Sequence, residues 1–248
     1  MNTPHPTKVL LYLENNQKYL NGNHIIVALK SFFKIYKQLS SEKSKNEANN
    51  WTKQTTFQEL CTFIKSNINK LSGPQAIDVL DVLTRMKIDT SSIITRSVLK
   101  YILQVMNELS VEDFKLLSSV VQRLPPTYLV RQVKLISSQK CVLKLPSALE
   151  SEEIGPLSNA LYFLAINIRN RNLLEQVLDK LHNYKKEITL TIAIDIMESI
   201  CNLNYSSTKT FDVFFKAQNK ILENLEKLSQ SQINYILRLI TDKLKASR

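Results

Sequence analysis

The sequence predicts an all-α protein, an α-solenoid of about five helix-turn-helix repeats with a period near 38–41 residues. Three observations carry that reading. Only three glycines occur in 248 residues, Gly22, Gly73 and Gly155, where average usage would give roughly 17. Hairpin turns and phosphate-binding loops depend on glycine for positive φ or close backbone approach. Apolar residues recur at i, i+3, i+4 nearly throughout, with no sustained two-residue alternation. Ser or Thr suited to N-capping stands at Ser72, Ser110, Ser151, Thr189 and Ser229, at spacings of 38, 41, 38 and 40 residues.

Residues 1–21 hold an N-terminal half-repeat, the helix Lys8–Leu20. Residues 22–71 form a first repeat, with helices over Asn23–Leu39 and Phe57–Leu71. Between them a polar insertion at residues 40–56 (Ser40–Thr56) has almost nothing but Trp51 to bury, and is expected to be mobile. Residues 72–248 form the helical-repeat array. Its first helices carry the stripes Ile77, Leu80, Leu83 and Leu117, Val120, Leu124, then Ile192, Ile196, Ile200 and Ile233, Ile236, Ile240. Second helices such as Ser92–Leu109 and Thr208–Leu228 lie between the caps, and Gln230–Leu244 closes the array as a half-unit. A helix pair recurring near 40 residues buries its apolar faces against its neighbours, which is the logic of a solenoid. The fourth pair is the least regular: Leu143–Pro146 is expected to interrupt it, while Pro156 falls in a first turn that tolerates proline.

Catalytic chemistry finds little support. Three isolated glycines build neither G-x-G-x-x-G nor a P-loop. Cys61, Cys141 and Cys201 are scattered and odd in number, so each is expected to behave as a small buried hydrophobe rather than as a disulfide or zinc ligand. His5, His24 and His182 lie apart from any Cys or carboxylate set with ligand spacing and read as surface or helix-end residues. Asp78/Asp81 and Glu152/Glu153 read as first-turn carboxylates placed to suit the helix dipole. No enzyme activity, metal, cofactor or membrane span is expected. The opening residues MNTPHPTK have neither secretory nor presequence character, so any import segment would lie outside this chain.

The stretches "VLDVLTRMKIDTSSIITRSVLKYILQVMNELSVEDFKLLSSVVQRL", "NALYFLAINIRNRNLLEQVLDKL" and "IMESICNLNYSSTKTFDVFFKAQNKILENLEKLSQSQINYILRLI" share one cadence. A helix ends in a short apolar tail, a Leu/Phe-rich helix follows, and Leu-Ser opens the next. This resembles the helical repeat region of the FAST kinase domain-containing (FASTK) family and is similar to octotricopeptide-type repeats, over roughly Gly73–Lys245. The resemblance implies a protein of the mitochondrial matrix acting in RNA stability, processing or translation. Family members usually carry further C-terminal domains, and nothing after Ser229 is long enough for one. The resemblance therefore implies a fragment or a divergent short member.

The charge fits such a partner. Lys plus Arg number 33 and Asp plus Glu 22, for a net charge of +11, and residues 1–71 alone carry +6. Lys30, Lys34 and Lys37 stack along one helix face at i, i+4, i+7. Polar residues recur late in first helices at Arg85, Arg123, Asn202 and Arg238, with Asn159 and Arg169 in the irregular unit. Repeat proteins read single-stranded RNA with such columns, and Arg or Asn meets a phosphate or a base edge. These nine residues are the candidate RNA-binding set. The runner-up reading is a protein–protein scaffold of HEAT or armadillo type, and the third a structural subunit of a mitochondrial ribonucleoprotein.

Overall fold

In the computed structural model, residues 6–42, 55–167, 170–203 and 207–246 are described. They are all-α: twelve α-helices, joined by turns and short 3₁₀ segments, with no strand among the described residues. The helices are α1 (Pro6–Asn15), α2 (Gly22–Glu42), α3 (Thr55–Ser66), α4 (Gly73–Arg85), α5 (Ile93–Val105) and α6 (Val111–Gln122). They continue as α7 (Tyr128–Glu150), α8 (Ile154–Asn167), α9 (Arg171–His182), α10 (Leu190–Asn202), α11 (Thr208–Leu222) and α12 (Gln230–Ala246).

One connector recurs and explains the Leu-Ser signature. After α1, α3, α5 and α11 the chain makes a 3₁₀ turn and then one extended residue: Leu20, Leu71, Leu109 or Leu228. All four leucines are buried, so each pins the turn by placing its side chain in the core. Three of these turns begin with asparagine, and Asn16, Asn67 and Asn224 each donate a side-chain N–H to the carbonyl four residues back. That bond adds a side-chain donor to a carbonyl of the last helical turn; at Tyr12 and Phe63 the same carbonyl also accepts the asparagine's backbone N–H.

Immediately after the leucine comes a reciprocal cap. Ser72 and Gln75 form a capping box, side chain to backbone in both directions. Ser110 pairs with Asp113 and Ser229 with Gln232 in the same way, and Asn21 does so with His24. Thr189 caps α10 through Ile192 N–H. Each such cap contributes about 1 kcal/mol. Ser151, expected to be the equivalent cap, instead accepts from Glu153 N–H, and α8 starts three residues later at Ile154.

The chain divides into two compact units. The first comprises residues 1–109 and 119–137. Here α1 packs on α2 and α3, α2 on α4, α4 on α5, and α3 on α5. Its core includes Phe32, Leu29, Ile64, Ile77, Leu80 and Leu99, all fully buried. Gly73 opens α4 against Leu109, and a Cβ there would sit 2.5 Å from Leu109 Cδ2, so glycine permits the close approach. At the end of α4, Lys87 takes the left-handed conformation (φ 57°). Its N–H donates to Thr84 O and that of Ile88 to Leu83 O, each 3.0 Å, a Schellman closure with lysine where glycine is usual.

The second unit comprises residues 110–118 and 138–248. In it α8 packs on α9 and α10, α10 on α11 and α12, and α9 on α11. Phe114 and Phe163 meet edge to face with ring centroids 6.2 Å apart, beside fully buried Leu161, Val177 and Ala193.

Three expectations are corrected. Leu143–Pro146 does not interrupt the fourth pair: α7 runs unbroken through Pro146. An interior proline costs about 3 kcal/mol, and the burial of Cys141, Leu145 and Ala148 along one face offsets it. Cys61 and Cys201 are only half-buried, whereas Cys141 is fully buried. The ends of the expected insertion are helical, because α2 extends to Glu42 and α3 begins at Thr55; residues 43–54 lie outside the described residues. Pro156 does sit in the first turn of α8.

Candidate nucleic-acid interface

The caps supply a register that the sequence spacing alone left loose. Thirteen positions beyond Asn21, Ser72, Ser110 and Thr189 stand Lys34, Arg85, Arg123 and Asn202. Lys30 and Arg238 belong to a different column, nine positions beyond Asn21 and Ser229, and the residues nine beyond Ser72 and Thr189 are Asp81 and Glu198. Six positions beyond Ser72 and Thr189 stand Asp78 and Asp195. Two helices, α4 and α10, thus carry an acidic pair at matching distances from their caps.

Those acids decide what the basic residues do. In the first unit Lys30 Nζ lies 3.2 Å from Asp78 Oδ2. Arg85 Nε donates to Asp81 Oδ2 at 2.7 Å, and an Arg123 terminal N–H to Asp81 Oδ1 at 2.5 Å. One carboxylate, its side chain only 14 % exposed, therefore gathers two guanidinium groups that lie 56 % and 44 % exposed. Arg123 also donates to Ser119 O. Asp78 and Asp81 sit in the second and third turns of α4, not the first, so their role is cross-helix pairing rather than dipole compensation. Of the α2 lysines, Lys34 is exposed with no carboxylate partner among the described residues, and Lys37 lies over the Phe33 ring at 5.3 Å.

In the second unit Lys115 on α6 bridges to Asp195 on α10 at 2.6 Å and stacks 5.3 Å over the Tyr162 ring. Glu198 hydrogen-bonds Tyr235. Burial pushes the Glu198 carboxyl above the ordinary carboxylate range, partly countered by that bond, and burial likewise raises the Tyr235 phenol. Asn159 is half-buried, while Asn202 and Arg238 are exposed. Asn202 spends a side-chain N–H on Glu198 O. Arg169 lies outside the described residues. The structure thus brings Arg85 and Arg123 together, and places Lys30 and Lys34 in separate columns.

Sequence reasoning missed the acidic partners. The signal that finds them is the D-x-x-D of α4 and the D-x-x-E of α10, at equal distance from their caps. It also missed how unevenly the charge divides. Counted by unit, residues 1–109 with 119–137 hold 17 Lys/Arg against 8 Asp/Glu, and the remainder 16 against 14. Nine of the eleven net charges therefore belong to the first unit. In the second, Lys209 pairs with Asp179 and Glu175, Lys220 with Glu187, and Lys186 with Glu152, while Lys180, Lys185 and Arg238 are exposed with no carboxylate partner among the described residues. In the first unit Lys34, Lys65, Lys87, Arg96, Lys100 and Arg131 are exposed with no carboxylate partner among the described residues.

The histidines serve helix ends: His24 in the Asn21 cap, and His182, the last residue of α9, 3.5 Å from Asp212. His5 lies outside the described residues. Among the described residues no group of His, Cys, Asp and Glu gathers in a way that could hold a metal, and no helix is long and apolar enough to cross a membrane. Compared with known proteins, the chain matches no family model and no curated protein sequence.

Proposed function

We propose that the chain is an RNA-binding helical-repeat protein, its helix pairs stacked as an α-solenoid, that holds single-stranded RNA. The observation that carries this is the division of net charge, 17 Lys/Arg against 8 Asp/Glu in the first unit and 16 against 14 in the second, with Lys34, Arg96, Lys100 and Arg131 of the first unit exposed and without a carboxylate partner among the described residues. Cations without carboxylate partners are free to replace the counter-ions condensed on a phosphate chain, and the release of those ions is the main sequence-independent term in nucleic-acid affinity. Lys34, Arg96, Lys100 and Arg131 are the phosphate contacts of this reading. Arg85 and Arg123 in the first unit and, separately, Asn202 in the second, each thirteen positions beyond its cap, are the base-reading candidates. Action in mitochondrial RNA stability, processing or translation rests on the likeness of the repeat cadence to FASTK proteins alone.

A protein scaffold of HEAT or armadillo type is the second reading. It is favoured by the engagement of Arg85 and Arg123 with Asp81, which leaves that stretch of surface mixed in sign rather than basic. Filter binding of single-stranded RNA over a range of salt separates the two. With Lys34, Arg96, Lys100 and Arg131 all changed to Glu, the slope of log K against log salt should flatten by about 0.7 for each phosphate no longer neutralised. Wild-type protein that shows no salt-dependent RNA binding would refute the RNA reading in favour of the scaffold.

A further inference from the structure

The first unit contains an open groove of about 590 Å³ between α3 and the segment from the end of α4 into α5. None of the candidate RNA-binding residues lines it. Its apolar lining comes from Phe57, Ile88, Ile93 and Ile94. Of these, Ile93 is 61 % exposed, an aliphatic side chain offered to solvent. Gln58, Thr62 and Ser92 add amide and hydroxyl groups, and Lys65 and Lys87 add two exposed cations with no carboxylate partner among the described residues. The groove's one acid, Asp89, accepts Ser91 N–H on Oδ1 at 2.7 Å. The Ser91 side chain bonds the same carboxylate, whose remaining lone pairs can accept from a base N–H such as uracil N3–H.

We propose that this groove is a nucleotide subsite, taking one unstacked base of single-stranded RNA against Ile93 and Ile88, with the flanking phosphates on Lys65 and Lys87. The assignment rests on the RNA-binding reading above and deepens it. The volume falls within the range of small-molecule sites. Two unpaired lysines at the rim match a phosphate on either side of a buried base. An apolar floor edged by hydrogen-bonding groups is what an unpaired base requires for stacking and edge recognition. The Thr62 and Ser92 hydroxyls already bond Gln58 O and Thr95, but an acyl chain would give the Gln58 amide and the two rim lysines no partner.

Two variants test this without endangering the fold. Lys87→Gly places glycine at the left-handed position that favours it and deletes one rim cation. Ile93→Asp puts a carboxylate in the first turn of α5, where the helix dipole favours it, and sets a negative charge in the groove. Each full-length variant should melt at or above the wild-type temperature. Binding of fluorescein-labelled oligouridine, followed by anisotropy, should weaken about three- to tenfold for Lys87→Gly, with the salt slope reduced by about 0.7. Ile93→Asp should weaken it about tenfold or more, because it opposes both base and phosphate. Uridine monophosphate, and not inorganic phosphate at equal concentration, should shift the methyl resonances of Ile88, Ile93 and Ile94. Wild-type protein that binds oligouridine while both variants bind within twofold of it overturns the subsite and leaves the RNA reading standing. Equal methyl shifts with inorganic phosphate also overturn it, as a bare anion site. Absence of RNA binding by the wild type overturns both readings together.

Discussion

Asp81→Asn removes one charge at the point where Arg85 and Arg123 converge and keeps the side chain's shape. Exposed ion pairs contribute about 0.2–1 kcal/mol each. The carboxylate here is mostly shielded and both contacts are short, at 2.7 and 2.5 Å, so the upper part of that range applies to each. The expected loss is about 1–2 kcal/mol, or roughly 3–6 °C in melting temperature for a chain of this length. Thermal denaturation followed by circular dichroism measures it. A double-mutant cycle with Arg123→Ala isolates the link from α4 to α6, since the Arg85 pair lies within α4. At 1 M salt, where screening acts within about 3 Å, the difference should shrink by half or more. RNA affinity should move the other way, because two guanidinium groups freed from their carboxylate become available to base edges. A melting temperature within about 1 °C of wild type at low salt would refute the reasoning, because the two contacts to this shielded carboxylate would then contribute no more than ordinary exposed ion pairs.

Two further outcomes follow from burial. Leu109→Ala should cost about 2–5 kcal/mol in urea denaturation, because this fully buried leucine both pins a connector and packs on Gly73; Leu135→Ala, at a site 60 % exposed, should stay within about 0.5 kcal/mol and serves as the control. Burial raises the folded-state pKa of Glu198, so between the unfolded and folded pKa values the folded chain binds the extra proton. Its stability should therefore fall as pH rises through that window, and Glu198→Gln should flatten this part of the stability profile. A profile unchanged by the substitution would show that Glu198 does not titrate out of register.

The helical class and most element positions could be read from the residue pattern because they rest on local interactions. The stripes of α4, α10 and α12 and the caps at Ser72, Ser110, Thr189 and Ser229 involve residues within four positions of each other. The Leu-Ser recurrence had the same local origin, a 3₁₀ turn followed by a buried leucine. Pro146 misled because a local rule was overridden by burial along one face of α7. Asp78 and Asp81 misled because a carboxylate near a helix start has two roles, and spacing does not choose between dipole compensation and a neighbouring helix.

By itself, then, the sequence determined an all-α chain of recurring helix pairs with defined starts, a net charge of +11 and no recognisable catalytic motif. Tertiary structure alone decided which of those charges remain available. Lys30 meets a carboxylate 48 residues away and Arg123 one 42 residues away, whereas Lys34, Lys65 and Lys87 meet none among the described residues. Periodicity and capping depend on backbone geometry that repeats within a turn or two, so a linear pattern records them. Charge pairing depends on which helices lie side by side and at what rotation. A shift of one residue turns a helix face by about 100°, enough to exchange a paired arginine for a free one.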